Sequence, residues 1–262
     1  MDLARITRQT INLSREVGAY IKQEAKGFNF NRVEEKGLND LVSYVDKTAE
    51  VRIVEGLRDI LPDAGFITEE GTAGHSREEY RWIVDPLDGT TNFTHGLPIY
   101  ATSIALMQDD ELVVGVVYEI NKDEMFSAFK GNGALLNGES INVSGRSQLS
   151  ESLLATGFPY YNFDKIPQYL KILNEFMQST HGLRRMGSAA VDLAYVACGR
   201  FEGFFEFNLN AWDVAAGCLI VKEAGGKVTD FNRGENYIFD REIIAAGKVL
   251  EEMQGIISKY WN

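Results

Sequence analysis

The twelve residues Trp82-Ile83-Val84-Asp85-Pro86-Leu87-Asp88-Gly89-Thr90-Thr91-Asn92-Phe93 carry an apolar run straight into two carboxylates and a turn of small polar side chains. Trp82, Ile83 and Val84 have the aromatic and β-branched character of a buried strand, bounded by charge on one side and by Pro and Gly on the other. Asp85 and Asp88 therefore fall at the end of that strand. Pro86 fixes its own φ and removes a donor, which holds the connection in one shape and leaves the Leu87 carbonyl free as an oxygen ligand. Gly89 permits a tight bend, so that the amides of Gly89, Thr90 and Thr91 can converge on an anion. Two carboxylates beside such amides suit a divalent metal and a phosphate held together. An Asp-Pro turn followed by a helix cap at Asp88 or Thr90 would use the same residues without any chemistry.

Charge narrows what such a site could hold. The formal net charge of −12 argues against a nucleic-acid backbone or an anionic membrane as partner, since both demand clustered Lys and Arg. An acidic protein that binds a phosphate ester must neutralise it locally, and bound cations do so while using the excess carboxylates. With 3 His and 2 Cys the chain is poorly supplied with soft ligands, so magnesium, or manganese in its place, is the expected cofactor. Cys198 and Cys218 lie in helical patterns without a close-spaced motif and read as reduced packing residues. No apolar run approaches the roughly 20 residues of a membrane-spanning helix, and the N-terminus lacks a signal-peptide core, so a cytoplasmic location is expected.

Periodicity places the remaining elements. Residues 4–24 and 46–61 read as helices, 27–39 as a surface loop, 41–45 and 66–68 as strands, and 72–79 as a polar loop covering the site. Asp46 begins the second helix as its N-cap by this reading, and Glu50 is a helix-surface charge. Residues 99–107, 112–120 and 125–129 read as strands joined by hairpins. From residue 153 onward strands and helices alternate, with strands at 153–156, 183–186, 203–207, 227–230 and 243–246, and helices at 166–177, 191–197, 212–224 and from 249. Small residues at Gly187-Ser188-Ala189 would let a ligand approach the backbone amides. Glu206 sits in an apolar strand and is read as a ligand, because burying an unpaired carboxylate is costly. Asp213 stands at a helix start, where it competes with Asn210 for the cap. No linker separates the halves, so two subdomains sharing an interface are expected, with the site between them.

The twelve-residue stretch resembles, without a gap, the signature of the inositol monophosphatase family, W-hydrophobic-hydrophobic-D-P-hydrophobic-D-G-T-T-N-F. Glu69-Glu70 is similar to that family's G-E-E motif, with Thr68 in the place of the Gly, and Trp212-Asp213-Val214-Ala215-Ala216-Gly217 to its W-D-hydrophobic-A-hydrophobic-G motif. The resemblance runs through nearly the whole chain. It implies an α+β / α/β fold, a layered α-β-α-β-α sandwich of the sugar phosphatase type, with an N-terminal subdomain at 1–145 and a C-terminal one at 146–262. It implies a magnesium-dependent, lithium-sensitive phosphomonoesterase, a homodimer, acting most simply on inositol monophosphate. By resemblance Glu69, Asp85 and the Leu87 carbonyl hold one magnesium, while Asp85, Asp88 and Asp213 hold a second, with room for a third. Glu69, Thr90 and Asp46 would serve the attacking water, and Asp88, Gly89, Thr90, Gly187, Ser188, Ala189, Glu206 and Asp213 the substrate. Asn210 stands where many animal members carry His, which leaves the preferred polyol open.

Two other readings compete. Fructose 1,6-bisphosphate or another sugar phosphate could be the substrate, whereas Thr91 argues against the nucleotide-bisphosphate branch, which tends to carry Lys there. A non-catalytic regulatory or binding protein that retains the fold is the reading of a different class.

Overall fold

The computed structural model describes residues 1–28, 33–37, 40–73, 78–159 and 162–261, with backbone alone at 33–37 and 40–42. Five layers stack along one direction. The outermost pair of helices, α1 (Leu3–Ala25) and α2 (Tyr44–Ile60), turns Ile6, Val17, Ile21, Ile53 and Leu57 inward. Between them the hairpin β1 (Val33–Gly37) and β2 (Asp40–Ser43) occupies part of the segment read as a loop. The helices cover a seven-stranded sheet made, in spatial order, of β3 (Gly65–Thr68), β4 (Tyr80–Asp88), β5 (Ala101–Gln108), β6 (Glu111–Glu119), β7 (Glu124–Phe129), β8 (Ala134–Leu136) and β9 (Glu139–Ile141). All its pairings are antiparallel except β3 with β4. Asp109, Asp123 and Asn137 take positive φ at the hairpin turns, as turn chemistry requires.

The short helix α3 (Thr90–Thr94) follows β4. The second sheet contains β10 (Leu153–Thr156), β11 (Gly182–Arg184), β12 (Gly203–Phe207), β13 (Lys227–Thr229) and β14 (Glu242–Ala246), ordered β11-β10-β12-β14-β13. Its outer face is covered by α4 (Ile166–Ser179) and α7 (Leu250–Tyr260), which share a cluster of Tyr169, Phe176, Phe205 and Trp261. Sandwiched between the two sheets lie α5 (Ala189–Ala197) and α6 (Ala211–Glu223). A helix with sheets on both sides is apolar all round, and every residue of α5 is buried. Close approach requires small residues here: a Cβ on Gly115 of β6 would fall 2.7 Å from the Ala216 carbonyl oxygen of α6.

This is the layered sandwich the sequence resemblance implied. Its central helices are also what bring the second half's side chains to the end of β4. The polar segment 72–79 falls in part, at 74–77, outside the described residues. Lys36 lies in β1, and its side chain is outside the described residues as well. No described helix is long and apolar enough to cross a membrane.

Candidate active site

Strand β4 builds the centre of the site. Alternation turns Trp82 and Val84 toward α1 and α2 and Ile83 toward α5 and α6, so Asp85 also faces the central helices. Simple alternation would send Asp88 to the opposite face. The pairing with β5 shifts by one residue, from Asp85 opposite Ser103 to Asp88 opposite Ala101. This bulge restores the phase and keeps both carboxylates on one side. Pro86, which has no N–H to pair, sits in the bulge, and the Leu87 amide donates to Asp85 Oδ1 at 2.9 Å. The strand thus runs through Asp88 rather than stopping at Val84. The Leu87 carbonyl accepts from Thr90 Oγ1 at 3.0 Å, so one of its two lone pairs remains for a ligand.

Glu69 enters from the neighbouring strand end. Because β3 pairs in parallel with β4, Thr68 lies opposite Val84 and the Glu69 amide donates to the Val84 carbonyl at 3.2 Å. The Glu69 carboxyl comes within hydrogen-bonding reach of Asp85. The loop beyond it is held by Glu50. That carboxylate is wholly buried and accepts from the Glu70 amide at 2.7 Å, the Thr72 amide at 2.8 Å and the Thr72 hydroxyl at 2.8 Å. Glu50 is therefore not the surface charge expected from its segment.

Asp46 is buried, and it is not the N-cap. Ser43 caps α2 and Asp46 is the third residue of the helix, accepting from the Ser43 amide at 2.9 Å and the Ser43 hydroxyl at 2.6 Å. Its other oxygen accepts from Thr90 Oγ1 at 2.7 Å. Burial raises the Asp46 pKa, against the pull of those hydrogen bonds.

Gly89 has a φ of 98°, and a Cβ there would lie 3.0 Å from the Ile99 carbonyl, so the turn demands Gly. The helix α3 that follows has no side-chain cap at its start. Asn92 ties the signature to the second half by donating from Nδ2 to the Ile99 and Met186 carbonyls, each at 2.8 Å.

The second half supplies the facing wall. Ser188 caps α5 and donates to Asp88 Oδ2 at 2.6 Å, while the Ala190 amide donates to the same oxygen at 2.7 Å. The Ala189 amide is also bonded to Asp88. Gly187 takes a φ of 90°, where a Cβ would meet Arg185 and Asn92. Asp213 is the third residue of α6 and accepts from the amide of Asn210, which holds the cap position. Glu206 on β12 is 6% exposed. These groups surround a cavity of about 320 Å³ lined by Glu69, Asp88, Ser188, Ala189, Glu206 and Asp213 among others.

Glu69, Asp85, Asp88 and Asp213 act on one another electrostatically. Burial and these mutual charges push Asp85 well above the usual carboxylate range. Burial raises Asp88 to about 6, against the hydrogen bonds from Ser188 and the α5 amides, and raises Asp213 to about 7, with Asp88 adding to the shift. Four neighbouring acids whose charges repel, Asp85 buried and Glu69, Asp88 and Asp213 partly so, are a donor set of hard oxygens that divalent cations would neutralise, so the residues fit magnesium or manganese. Among the described residues no three His, Cys, Asp or Glu side chains already converge into a ready-made cage. Magnesium tolerates this, because it keeps several waters and uses few protein oxygens.

These shifts have a consequence for stability without metal. A carboxyl whose folded pKa is raised contributes stability that is complete below its unfolded value, near 4, and lost as pH rises through the folded value. For Asp88 and Asp213 that window runs from about 4 to about 7. The melting temperature of the protein in chelator should fall between pH 5 and pH 8, and Asp213→Asn should flatten the fall. An equal slope in wild type and variant would speak against buried, mutually repelling carboxylates.

Of the residues singled out from sequence, Glu69, Asp85, Asp88, Asp213, Asp46 and Thr90 meet at one end of β4, with Gly89 and the Leu87 carbonyl in the same turn. Gly187, Ser188, Ala189 and Glu206 line the cavity beside them. Glu50, Asn92, Arg185 and Asp192 join this neighbourhood without having been singled out for it.

The model of the inositol monophosphatase family matches residues 2–262. Over 249 residues the chain is 44% identical to a putative Nus factor SuhB of Neisseria meningitidis serogroup B, covering 94% of this chain and 95% of that protein. It is 42% identical over 221 residues to an inositol-1-monophosphatase of Mesorhizobium japonicum, covering 84% of this chain and 83% of the other. The crystal structure of the extragenic suppressor protein suhB of Bartonella henselae superposes with a TM-score of 0.91 at 39% identity, covering 96% of this chain and 98% of that one.

Proposed function

The chain belongs to the inositol monophosphatase family, and from that premise we infer that it hydrolyses the phosphate monoester of a polyol with magnesium, most simply inositol monophosphate to inositol and phosphate. The observation that carries this reading is that Glu69, Asp88 and Asp213, from both halves of the chain, line one cavity whose wall also holds Glu206, with the charges of all three acting on the buried Asp85 behind them. A cavity of about 320 Å³ is at the small end for ligand sites and suits a single sugar-sized ring.

Glu69, Asp85 and the Leu87 carbonyl would hold one magnesium and Asp85, Asp88 and Asp213 a second, supplying when bound an acidified water and compensation for charge on the leaving oxygen. Thr90 donates its only hydroxyl proton to Asp46 or the Leu87 carbonyl, which leaves its oxygen lone pairs to accept from a water and aim it. Asp46, clamped by Ser43 and raised in pKa by burial, is placed to take up a proton passed through Thr90. Amides at Gly89 and Thr90 would bind the phosphate without adding formal charge. Ser188 and the amides of α5 hold Asp88 in place, and Glu206 would accept from the polyol. Lithium inhibition and a homodimer belong to the same proposal by family resemblance.

Glu50 acts through Glu69. Removing its charge with Glu50→Gln turns one acceptor into a donor facing backbone amides, at about 1–3 kcal/mol of stability. In a urea melt the variant should lose about that much. In a magnesium titration of activity it should need more metal for half-maximal turnover, which loss of stability alone would not cause.

A substrate panel tests the whole reading. Phosphate release should be fastest from inositol 1-phosphate, slower from fructose 1,6-bisphosphate and adenosine bisphosphate, and absent in chelator. No release above the metal-free control from any of them would defeat it. The relatives named Nus factor favour a second role, in the transcription machinery to which that name points. They weigh against the expectation, drawn from net charge, of no nucleic-acid partner. Such a role would be compatible with a working phosphatase site.

A further inference from the structure

We propose that Asp192 reads the alcohol half of the substrate, its carboxyl hydrogen-bonding a hydroxyl of the polyol and, with Glu206, restricting the site to phosphates of polyhydric alcohols. The inference rests on the phosphatase reading above.

Asp192 interrupts a helix that is otherwise made of Ala, Val, Leu and Tyr and lies between two sheets. It is 2% exposed, and its Oδ1 has no hydrogen-bond partner among the described residues. Leaving a buried polar oxygen unmatched costs about 1–3 kcal/mol, so a purely structural site would be better served by Leu or Ala. Position near the N-terminus of α5 favours an acid there, but the cap is Ser188, and Asp192 is bonded to it only through its own amide and the Ser188 carbonyl. Asp192 does belong to the wall of the cavity, which it lines together with Glu206, Arg185 and Asn210.

The charges around it sharpen the assignment. Among the described residues Arg185 is the cation acting on Asp192, and it also acts on Asp88 and Glu206, so three acids share it. That balance repels a second anionic group on the substrate and suits neutral hydroxyls. Burial and the nearby carboxylates push Asp192 upward. Whether ionised, when it accepts, or protonated, when it both donates and accepts, a carboxyl there can bond a hydroxyl, which does both. The Glu206 carboxylate packs against Gly157, where a Cβ would fall 2.1 Å from its oxygens.

The test compares inositol 1-phosphate with p-nitrophenyl phosphate, which carries the ester but no ring hydroxyl. For Asp192→Leu the ratio of kcat/KM on the first to kcat/KM on the second should fall about tenfold or more, mostly through KM for the polyol ester. Asp192→Asn, which retains a donor and an acceptor, should fall between wild type and the Leu variant, with a ratio about threefold or more below wild type, and it carries the comparison if the Leu variant does not fold. A ratio within about twofold of wild type in the Leu variant, or in the Asn variant standing in for it, would overturn the proposal. Wild-type enzyme that turns over the aryl ester but not the polyol ester would overturn it while leaving a phosphatase standing. Turnover of neither would overturn both.

Discussion

Asp88→Asn should reduce metal-dependent phosphate release by about a thousandfold or more in kcat/KM. Asp88 has two duties. One oxygen accepts from the Ser188 hydroxyl and the Ala190 amide, which locks the end of β4 to the start of α5. The carboxylate also supplies negative charge between the positions proposed for Asp85 and Asp213 ligation. An amide of the same shape can keep both of those hydrogen bonds with its carbonyl oxygen toward α5 but removes the charge, and in the other orientation its NH2 would face the Ala190 amide. The same change takes one acid out of a cluster in which acids repel one another. The variant should therefore melt no lower than wild type in chelator, although magnesium should raise its melting temperature less. Full activity in the variant, or collapse of the fold, would show that Asp88 serves another purpose.

Thr90→Val should lower kcat by about 10²–10⁴-fold with little change in KM. The side chains are nearly equal in volume, so the packing of α3 against the bulge survives, and only the hydroxyl is lost. That hydroxyl sits between Asp46 Oδ1, at 2.7 Å, and the Leu87 carbonyl, at 3.0 Å. Among the described residues it is thus the side-chain hydrogen bond that links the Asp46 carboxyl to the turn that holds the proposed phosphate site. Thr90→Ser should retain most of the turnover, since it keeps the oxygen and loses a methyl. Retained turnover in the Val variant with a loss in the Ser variant would mean that the methyl, and not the proton path, matters. A steady-state comparison of kcat and KM for the three proteins, together with their melting temperatures, separates these outcomes.

Much of this arrangement was legible in the chain because its chemistry is compressed into one stretch. Trp82 to Phe93 announce a strand that ends in acids, a tight turn at Gly89 and a helix start, and all three are found. The bulge was not legible. Residues 85 and 88 have the wrong parity for a shared face, and only the pairing with β5 shows the extra residue that corrects it. Long-range anchors were hidden for a related reason. Nothing near Asn92 tells that its amide reaches the Met186 carbonyl, and nothing near Asp88 names Ser188 as its donor.

Glu50 and Asp192 are different, because each left a trace that could have been followed. Glu50 precedes Ile53, Val54 and Leu57 by three, four and seven residues, which places a carboxylate on the apolar stripe of α2. Asp192 stands within Ala189-Ala190-Val191 and Leu193-Ala194, a helix with no polar face to hold it. In both cases an acid at a buried helical position signals a partner or a ligand. Reading Glu50 as a surface charge ignored its phase relative to the apolar residues. Asp46 shows the opposite limit, since the Asp-first pattern of its helix suggested a cap, and Ser43 three residues earlier took that place while Asp46 turned to Thr90.

Whether carboxylates from both halves of the chain hold hard divalent cations is decided most directly by anomalous diffraction from a crystal grown with manganese. Anomalous peaks should appear between Glu69, Asp85, Asp88 and Asp213, and should vanish when the crystal is soaked in chelator. A crystal that takes up manganese elsewhere, and shows none among these four side chains, would contradict the assignment.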